Sequence, residues 1–206
     1  MTSIAPLFPQ LRPIADGSCR QRQVVAEGTL FLAPDTVATI DLVRFAIGEL
    51  FGDARPHWCF AHDRTGAPII CSDIDLPPAV SVAATRRTRA LLLGPGPLGI
   101  DVETIDRVAV NATINDDWLA TTERSLLASL PRDKRALELA CRWVLREAYG
   151  KASGRGLDLP LARLGFTVES GVVTLPTSSA AGGGWTFSLH RSGSLVIGIV
   201  AAGLDR

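Results

Sequence analysis

Apolar and polar positions along this chain fall into short blocks, most of period two and a few of helical period. Val24, Val25, Leu30 and Phe31 predict a strand from Gln23 to Leu32. Val37, Ile40, Val43, Ile47, Leu50 and Phe51 recur at helical spacing, so a helix runs to about Phe51, with Asp35 or Thr36 as its cap. Strands follow at Trp58 to His62 and Ala67 to Cys71, joined by the turn Asp63-Arg-Thr-Gly66. Two more are expected at about 79–85 and 88–93. Gly94-Pro-Gly-Pro97 then breaks the pattern.

Residues 98–104 read Leu-Gly-Ile-Asp-Val-Glu-Thr. Leu98, Ile100 and Val102 alternate with Gly99, Asp101 and Glu103, which predicts a strand with one buried face. Trp118 to Leu130 is helical in character, with Thr121 or Thr122 as a cap. A long helix follows from Pro131, which suits a first helical position because its missing N–H would be unpaired there. Leu137, Ala140, Cys141, Val144, Leu145 and Ala148 form its apolar face, and Gly154 and Gly156 end it. Four short antiparallel strands are expected at 166–168, 172–175, 185–190 and 194–201. Helix plus antiparallel strand, twice over, is an α+β pattern.

Composition narrows the possibilities. Of 206 residues, 47% are hydrophobic and 20% charged, so the chain can bury a substantial core. The formal net charge is zero, which leaves no basic footprint for nucleic acid. No apolar run is long enough to span a membrane, and no secretory signal pattern opens the chain. Cys19, Cys59, Cys71 and Cys141 lack Cys-x-x-Cys spacing and read as reduced thiols of a cytoplasmic protein. Residues 1–20, with Pro6, Pro9, Pro13 and Gly17, read as an irregular arm.

Two segments carry candidate chemistry. Asp101 and Glu103 are two apart on a strand, so both carboxylates leave one face. Such like charges repel unless a cation lies between them, and Mg²⁺ prefers oxygen ligands. Glu147 and Lys151 are four apart on the long helix, one turn from each other. Alone, either pair reads as solvated surface charge.

Together these segments resemble the 4′-phosphopantetheinyl transferase superfamily. Gly99-Ile-Asp101-Val-Glu103 is similar to the first half of its signature. Trp143-x-x-Arg146-Glu147-Ala148-x-x-Lys151-x-x-Gly154-x-Gly156-Leu157 is similar to the second. The chain length points to the larger two-lobed, Sfp-like, monomeric subclass. The resemblance implies two pseudo-twofold-related lobes, 1–97 and 98–206, each a helix packed on a small antiparallel sheet with the active cleft between them. It implies that coenzyme A gives its phosphopantetheine arm to a serine of an acyl or peptidyl carrier protein, in fatty-acid, polyketide or non-ribosomal peptide synthesis. Asp101, Glu103 and Glu147 match the ligands of Mg²⁺, or of Mn²⁺ in its place. Lys151 matches the lysine on the phosphate and leaving group, and Glu123 the glutamate that deprotonates the carrier serine.

The first lobe departs from that pattern. Gly66-Ala67-Pro68 stands where the family carries Gly-Lys-Pro, and Ser81-Val82 where it carries Ser-His. Ser81 is kept as a coenzyme contact, while the lysine and histidine are lost. Arg86, Arg87 and Arg89, or Arg12, Arg20 and Arg22 nearer the N-terminus, are expected to restore positive charge for the coenzyme 3′-phosphate. Arg146 replaces a lysine, a mild exchange if that helical position is exposed. Trp143 is expected to pack. The alternative is a non-catalytic or repurposed member that binds a carrier protein or another partner.

Overall fold

Ala26-Glu27 interrupts the strand expected from Gln23 to Leu32 and folds it into a hairpin of β1 (Gln21–Val25) and β2 (Gly28–Pro34). The apolar residues on both sides of this turn made the segment look continuous. The computed structural model describes residues 21–52, 57–73, 75–112, 117–156, 158, 161–169, 172–174 and 184–203. The arm at 1–20, with Arg12, Cys19 and Arg20, lies outside them.

Helix α1 (Thr39–Phe51) starts later than expected, with Ala38 at its N-cap and no side-chain cap. Asp35 and Thr36 fall instead in a turn closed by the Val37 N–H on the Pro34 carbonyl, 3.1 Å. The strands β3 (Trp58–His62) and β4 (Pro68–Ser72) form a hairpin, as do β5 (Ala79–Ala84) and β6 (Thr88–Gly94). Residues 95–97 lead into β7 (Leu98–Thr104). Helix α2 (Ile105–Ala112) follows directly and was not visible in the sequence pattern. Helix α3 (Thr121–Ser129) has Ala120, not a threonine, at its N-cap. Helix α4 (Arg132–Ala152) begins just after Pro131, which serves as the N-cap. The strands β8 (Thr167–Glu169), β9 (Val172–Thr174), β10 (Trp185–Ser192) and β11 (Leu195–Ala202) close the described chain.

The sheets are antiparallel and the architecture is α+β. One sheet has the order β1-β2-β6-β5 and the other β10-β11-β7, with β3-β4 and β8-β9 as separate pairs. Leu30, Leu32, Ala90 and Leu92 of the first sheet share a core with Ile100, Val102, Ile197 and Ile199 of the second. On its other face the first sheet packs Phe31, Leu91 and Leu93 against Leu42, Val43 and Ile47 of α1. The second sheet packs Val196 and Val200 against Val144, Leu145 and Ala148 of α4. The layers are therefore α1, sheet, sheet, α4.

Both faces of β7 are buried, contrary to the one-faced strand expected. Leu98, Ile100 and Val102 enter the inter-sheet core, so Gly99, Asp101 and Glu103 face α4. Two glycines allow this approach. A Cβ on Gly99 would lie 2.0 Å from the Ala148 carbonyl oxygen, and one on Gly198 2.7 Å from that of Val144. The helix thus lies against the sheet backbone, which brings its C-terminal half to the carboxylates of β7.

Candidate active site

Lys151, in the last turn of α4, reaches β7. Its Nζ donates to Asp101 Oδ1 at 2.8 Å and to the Ile100 carbonyl at 2.9 Å. The same Ile100 sends its N–H to Ser81 Oγ at 3.1 Å, so the β7 edge is tied to β5 on one atom and to α4 on the next. Glu103 Oε1 pairs with Arg107 of α2 at 2.9 Å, and its Oε2 accepts the Thr104 N–H at 3.3 Å. Glu147 is half-buried, one helical turn before Lys151.

The three carboxylates feel one another. Burial pushes the Asp101 carboxyl above its ordinary range, and Lys151 pulls the other way. Burial raises Glu103 as well, with Arg107 opposing and Asp101 adding to the rise. Glu147 is raised by burial, then by Asp101 and Glu103, against Lys151. Asp101, Glu103 and Glu147 therefore lie in one electrostatic neighbourhood. Among the described residues, however, no three His, Cys, Asp or Glu side chains are drawn together as a ready-made metal cage. Asp101 is turned to Lys151 and Glu103 to Arg107. The donor chemistry fits a hard divalent cation, since all are oxygen ligands whose charges burden one another. The exposed Arg107 can swing into solvent without disturbing the core.

This burden predicts a stability effect. A carboxyl whose folded pKa lies above its unfolded value costs stability when ionised, and the fold regains it as pH falls through the raised value. Glu147→Gln is therefore expected to raise the unfolding free energy of the metal-free protein at neutral pH by about 0.5–2 kcal/mol. The gain should vanish near pH 4, about where free carboxyls protonate. Thermal unfolding of both proteins at the two pH values checks this; an equal gain at both would assign it to packing.

A cavity of about 530 Å³ opens beside Lys151. Its walls include Thr65–Pro68 from the β3–β4 turn, Val80–Val82 of β5, Leu98, and residues 150, 151 and 154–156 at the end of α4. Ala67 and Val82, the two uncharged replacements, both line it. Ser81 lines it too, buried and already accepting the Ile100 N–H. Gly154 and Gly156 take positive φ values of 67° and 53°, and the N–H groups of Arg155 and Gly156 turn back to the Gly150 carbonyl at 3.1 and 3.0 Å. That pinned loop presents Arg155 to the cavity, a placement the sequence reading passed over.

Arg86 and Arg87 do not share that cavity. They line a second one, of about 610 Å³, with Thr85, Thr104, Asp106, Arg107 and Ser194. Leu98 borders the first cavity and Thr104 the second, so the two lie at opposite ends of β7. Seven strand residues separate them by roughly 20 Å. Arg89 is committed elsewhere, to Thr39 Oγ1 at 2.5 Å and the Asp35 carbonyl at 3.3 Å. Arg22 lies near Glu49, 3.9 Å away.

Glu123 is enclosed. It is 3% exposed, and both oxygens are taken. Oε1 accepts the Phe166 N–H at 3.0 Å and lies 3.4 Å from Arg142 Nε. Oε2 accepts the Ala120 N–H at 2.9 Å and forms a close ion pair with Arg146. A base must be within hydrogen-bond reach of the proton it takes. In this conformation both Glu123 oxygens are engaged within the protein. Arg146 is buried as well, not on an exposed position. It donates to the Leu164 carbonyl at 2.6 Å and stacks on Trp118 and Phe166, 5.3 and 5.1 Å from the ring centres. Trp143 packs edge-on against Trp118 at 5.2 Å.

The Lys151 ammonium is thus held on the buried Asp101 carboxylate and lines the first cavity. The chain belongs to the 4′-phosphopantetheinyl transferase superfamily, whose sequence model matches residues 97–200. It is a transferase of that superfamily. It is 28% identical over 193 residues to a 4′-phosphopantetheinyl transferase, pptA, of Paxillus involutus, covering 78% of this chain and 72% of that one. Among solved structures it is similar to a holo-(acyl-carrier-protein) synthase from Bacillus anthracis in complex with CoA (3′,5′-ADP), with a TM-score of 0.44 and 22% identity, over 50% of this chain and 92% of that one. The Helicobacter pylori holo-[acyl-carrier-protein] synthase in complex with coenzyme A gives 0.40 and 18%, over 52% and 99%. No helix among the described residues is long and apolar enough to cross a membrane.

Proposed function

We propose that this protein moves the phosphopantetheine arm of coenzyme A to a serine hydroxyl of an acyl or peptidyl carrier protein, with Mg²⁺. The observation that carries this reading is Lys151, bonded to Asp101, at the border of the cavity walled by Ala67, Ser81 and Val82. Asp101, Glu103 and Glu147 would hold the cation, which when bound supplies positive charge for the pyrophosphate oxygens. Lys151 has one N–H beyond its two protein contacts to give to a phosphate oxygen. Residues 1–97 and 98–206 supply the two walls.

The coenzyme occupies the Lys151 cavity, and Arg155 takes over the 3′-phosphate. It is exposed and lines this cavity. The acceptor approaches from the Thr104 end of β7, where Arg86, Arg87 and Arg107 suit an anionic partner surface. Glu123 serves as a structural anchor for Arg142 and Arg146 rather than as the base.

Binding of coenzyme A and of dephospho-coenzyme A, which lacks the 3′-phosphate, tests this by calorimetry. A charge-assisted contact is worth about 1.5–3 kcal/mol, or about 10- to 150-fold in affinity. The wild type should prefer coenzyme A by such a factor, and Arg155→Ala should erase the preference. A preference that survives the substitution rules out Arg155 but keeps the coenzyme site. In the same preparation an apo carrier protein should gain the arm only with divalent cation present. A specific observation favours the second reading, of a non-catalytic or repurposed member: the wall formed by Ala67 and Val82 carries no charge. If neither ligand binds and no carrier gains the arm, that reading replaces this one.

A further inference from the structure

Cys59 in β3 and Cys71 in β4 are direct cross-strand partners. Opposed residues of an antiparallel pair leave the same face of the sheet. Both thiols are exposed. The Asp63 N–H bonds the Ala67 carbonyl at 2.9 Å and the Asp73 N–H the His57 carbonyl at 3.3 Å. The ladder alternates between bonded and non-bonded pairs, so Cys59 and Cys71 form a bonded pair, with Cα atoms about 5.5 Å apart. That separation lies within the span a disulfide bridges. The Cβ atoms of opposed residues, about 4.5–5.5 Å apart, exceed the mean disulfide spacing. A bridge here is therefore one that a thiol readily reopens. A hydrogen bond to Cys59 holds the Cys71 thiol above its ordinary range. Cys141 differs, because it is buried and burial pushes its thiol up to about 12.

We propose that Cys59 and Cys71 are a redox-active dithiol, the site of a reversible intramolecular disulfide on the β3–β4 hairpin. The oxidant is a low-molecular-weight disulfide. One cysteine thiolate attacks it, forming a mixed disulfide and releasing one small thiolate. The second cysteine thiolate attacks the first cysteine's sulfur and releases the other. The two cysteines give up two protons and two electrons, and the small disulfide becomes two thiols. The turn of this hairpin, Thr65–Pro68, walls the cavity beside Lys151, so the bridge braces that wall. The assignment rests on the hairpin alone and is independent of the transferase reading.

Trypsin cuts after Arg64, between the two cysteines, and this makes the test direct. The folded Cys19→Ser protein is treated with oxidised glutathione, alkylated, denatured and digested. The peptides holding Cys59 and Cys71 should remain joined, with the chain two hydrogens lighter, and reduced glutathione should separate them. Cys59→Ser should stop at a glutathione adduct on Cys71. Separate adducts on both cysteines, or full alkylation of both after oxidant treatment, would overturn the proposal. Cys141 should stay unmodified in the folded protein throughout.

Discussion

Arg146→Ala is expected to lower the unfolding free energy by about 3–5 kcal/mol, because it leaves a buried carboxylate without its close partner. Glu123 stays 3% exposed, with only the more distant Arg142 and two backbone N–H groups to hold its charge. The Leu164 carbonyl also loses a donor, and Trp118 and Phe166 lose the cation stacked between them. Arg146→Lys should recover only part of this. An ammonium can pair with Glu123, but it cannot also donate to the carbonyls of Leu164 and Arg142, the latter 3.2 Å from Arg146 Nη1, and cover two rings. Urea denaturation of the wild type and both variants measures the loss. A cost below about 1 kcal/mol for the alanine variant would show that the pair contributes no more than a surface ion pair. A coupling well above zero in a cycle with Glu123→Ala would confirm that the two act as one unit.

The sequence carried the strands and the long helix because their apolar faces have clean periods. It carried the neighbourhood of Asp101, Glu103, Glu147 and Lys151 because these residues stand at spacings that fix faces. What it missed depends on partners distant in the chain. Nothing near Glu123 announces that Arg142 and Arg146, about twenty residues on, will enclose it. Two arginines four apart on an otherwise apolar helical face were the available signal. The pairing of Cys59 with Cys71 follows from the hairpin register, which the turn at Asp63–Gly66 sets. Arg86 and Arg87 were placed at the coenzyme by sequence proximity to Ser81. Yet β5 ends between them, and a strand carries its two ends to different sites. Helix α2 escaped notice because Asp106, Arg107 and Asn111 leave it a narrow apolar stripe.

Lys151→Ala is expected to lower kcat by about 30- to 1,000-fold, the loss of about 2–4 kcal/mol of charge stabilisation in the transition state. The side chain is one-third exposed and borders the cavity, so its ammonium can meet phosphate oxygens while bonded to Asp101 and Ile100. Those two protein contacts fix its position in advance, and fixed charge is what stabilises a transition state without reorganisation. The substitution also acts on Asp101. Lys151 opposes the effect of burial there, so without it the Asp101 carboxyl is driven further up and protonates at a higher pH than in the wild type. The activity of Lys151→Ala should therefore fall off earlier as pH is lowered. Lys151→Arg should restore part of the pH profile, because it restores a cation beside Asp101. It should restore less of the rate, because a planar fork places its N–H groups differently. Single-turnover kinetics at saturating coenzyme separate these effects from binding. If Lys151→Ala turns over at the wild-type rate while only its thermal midpoint drops, Lys151 is a brace for Asp101 and the charge at the reacting phosphate comes from another group.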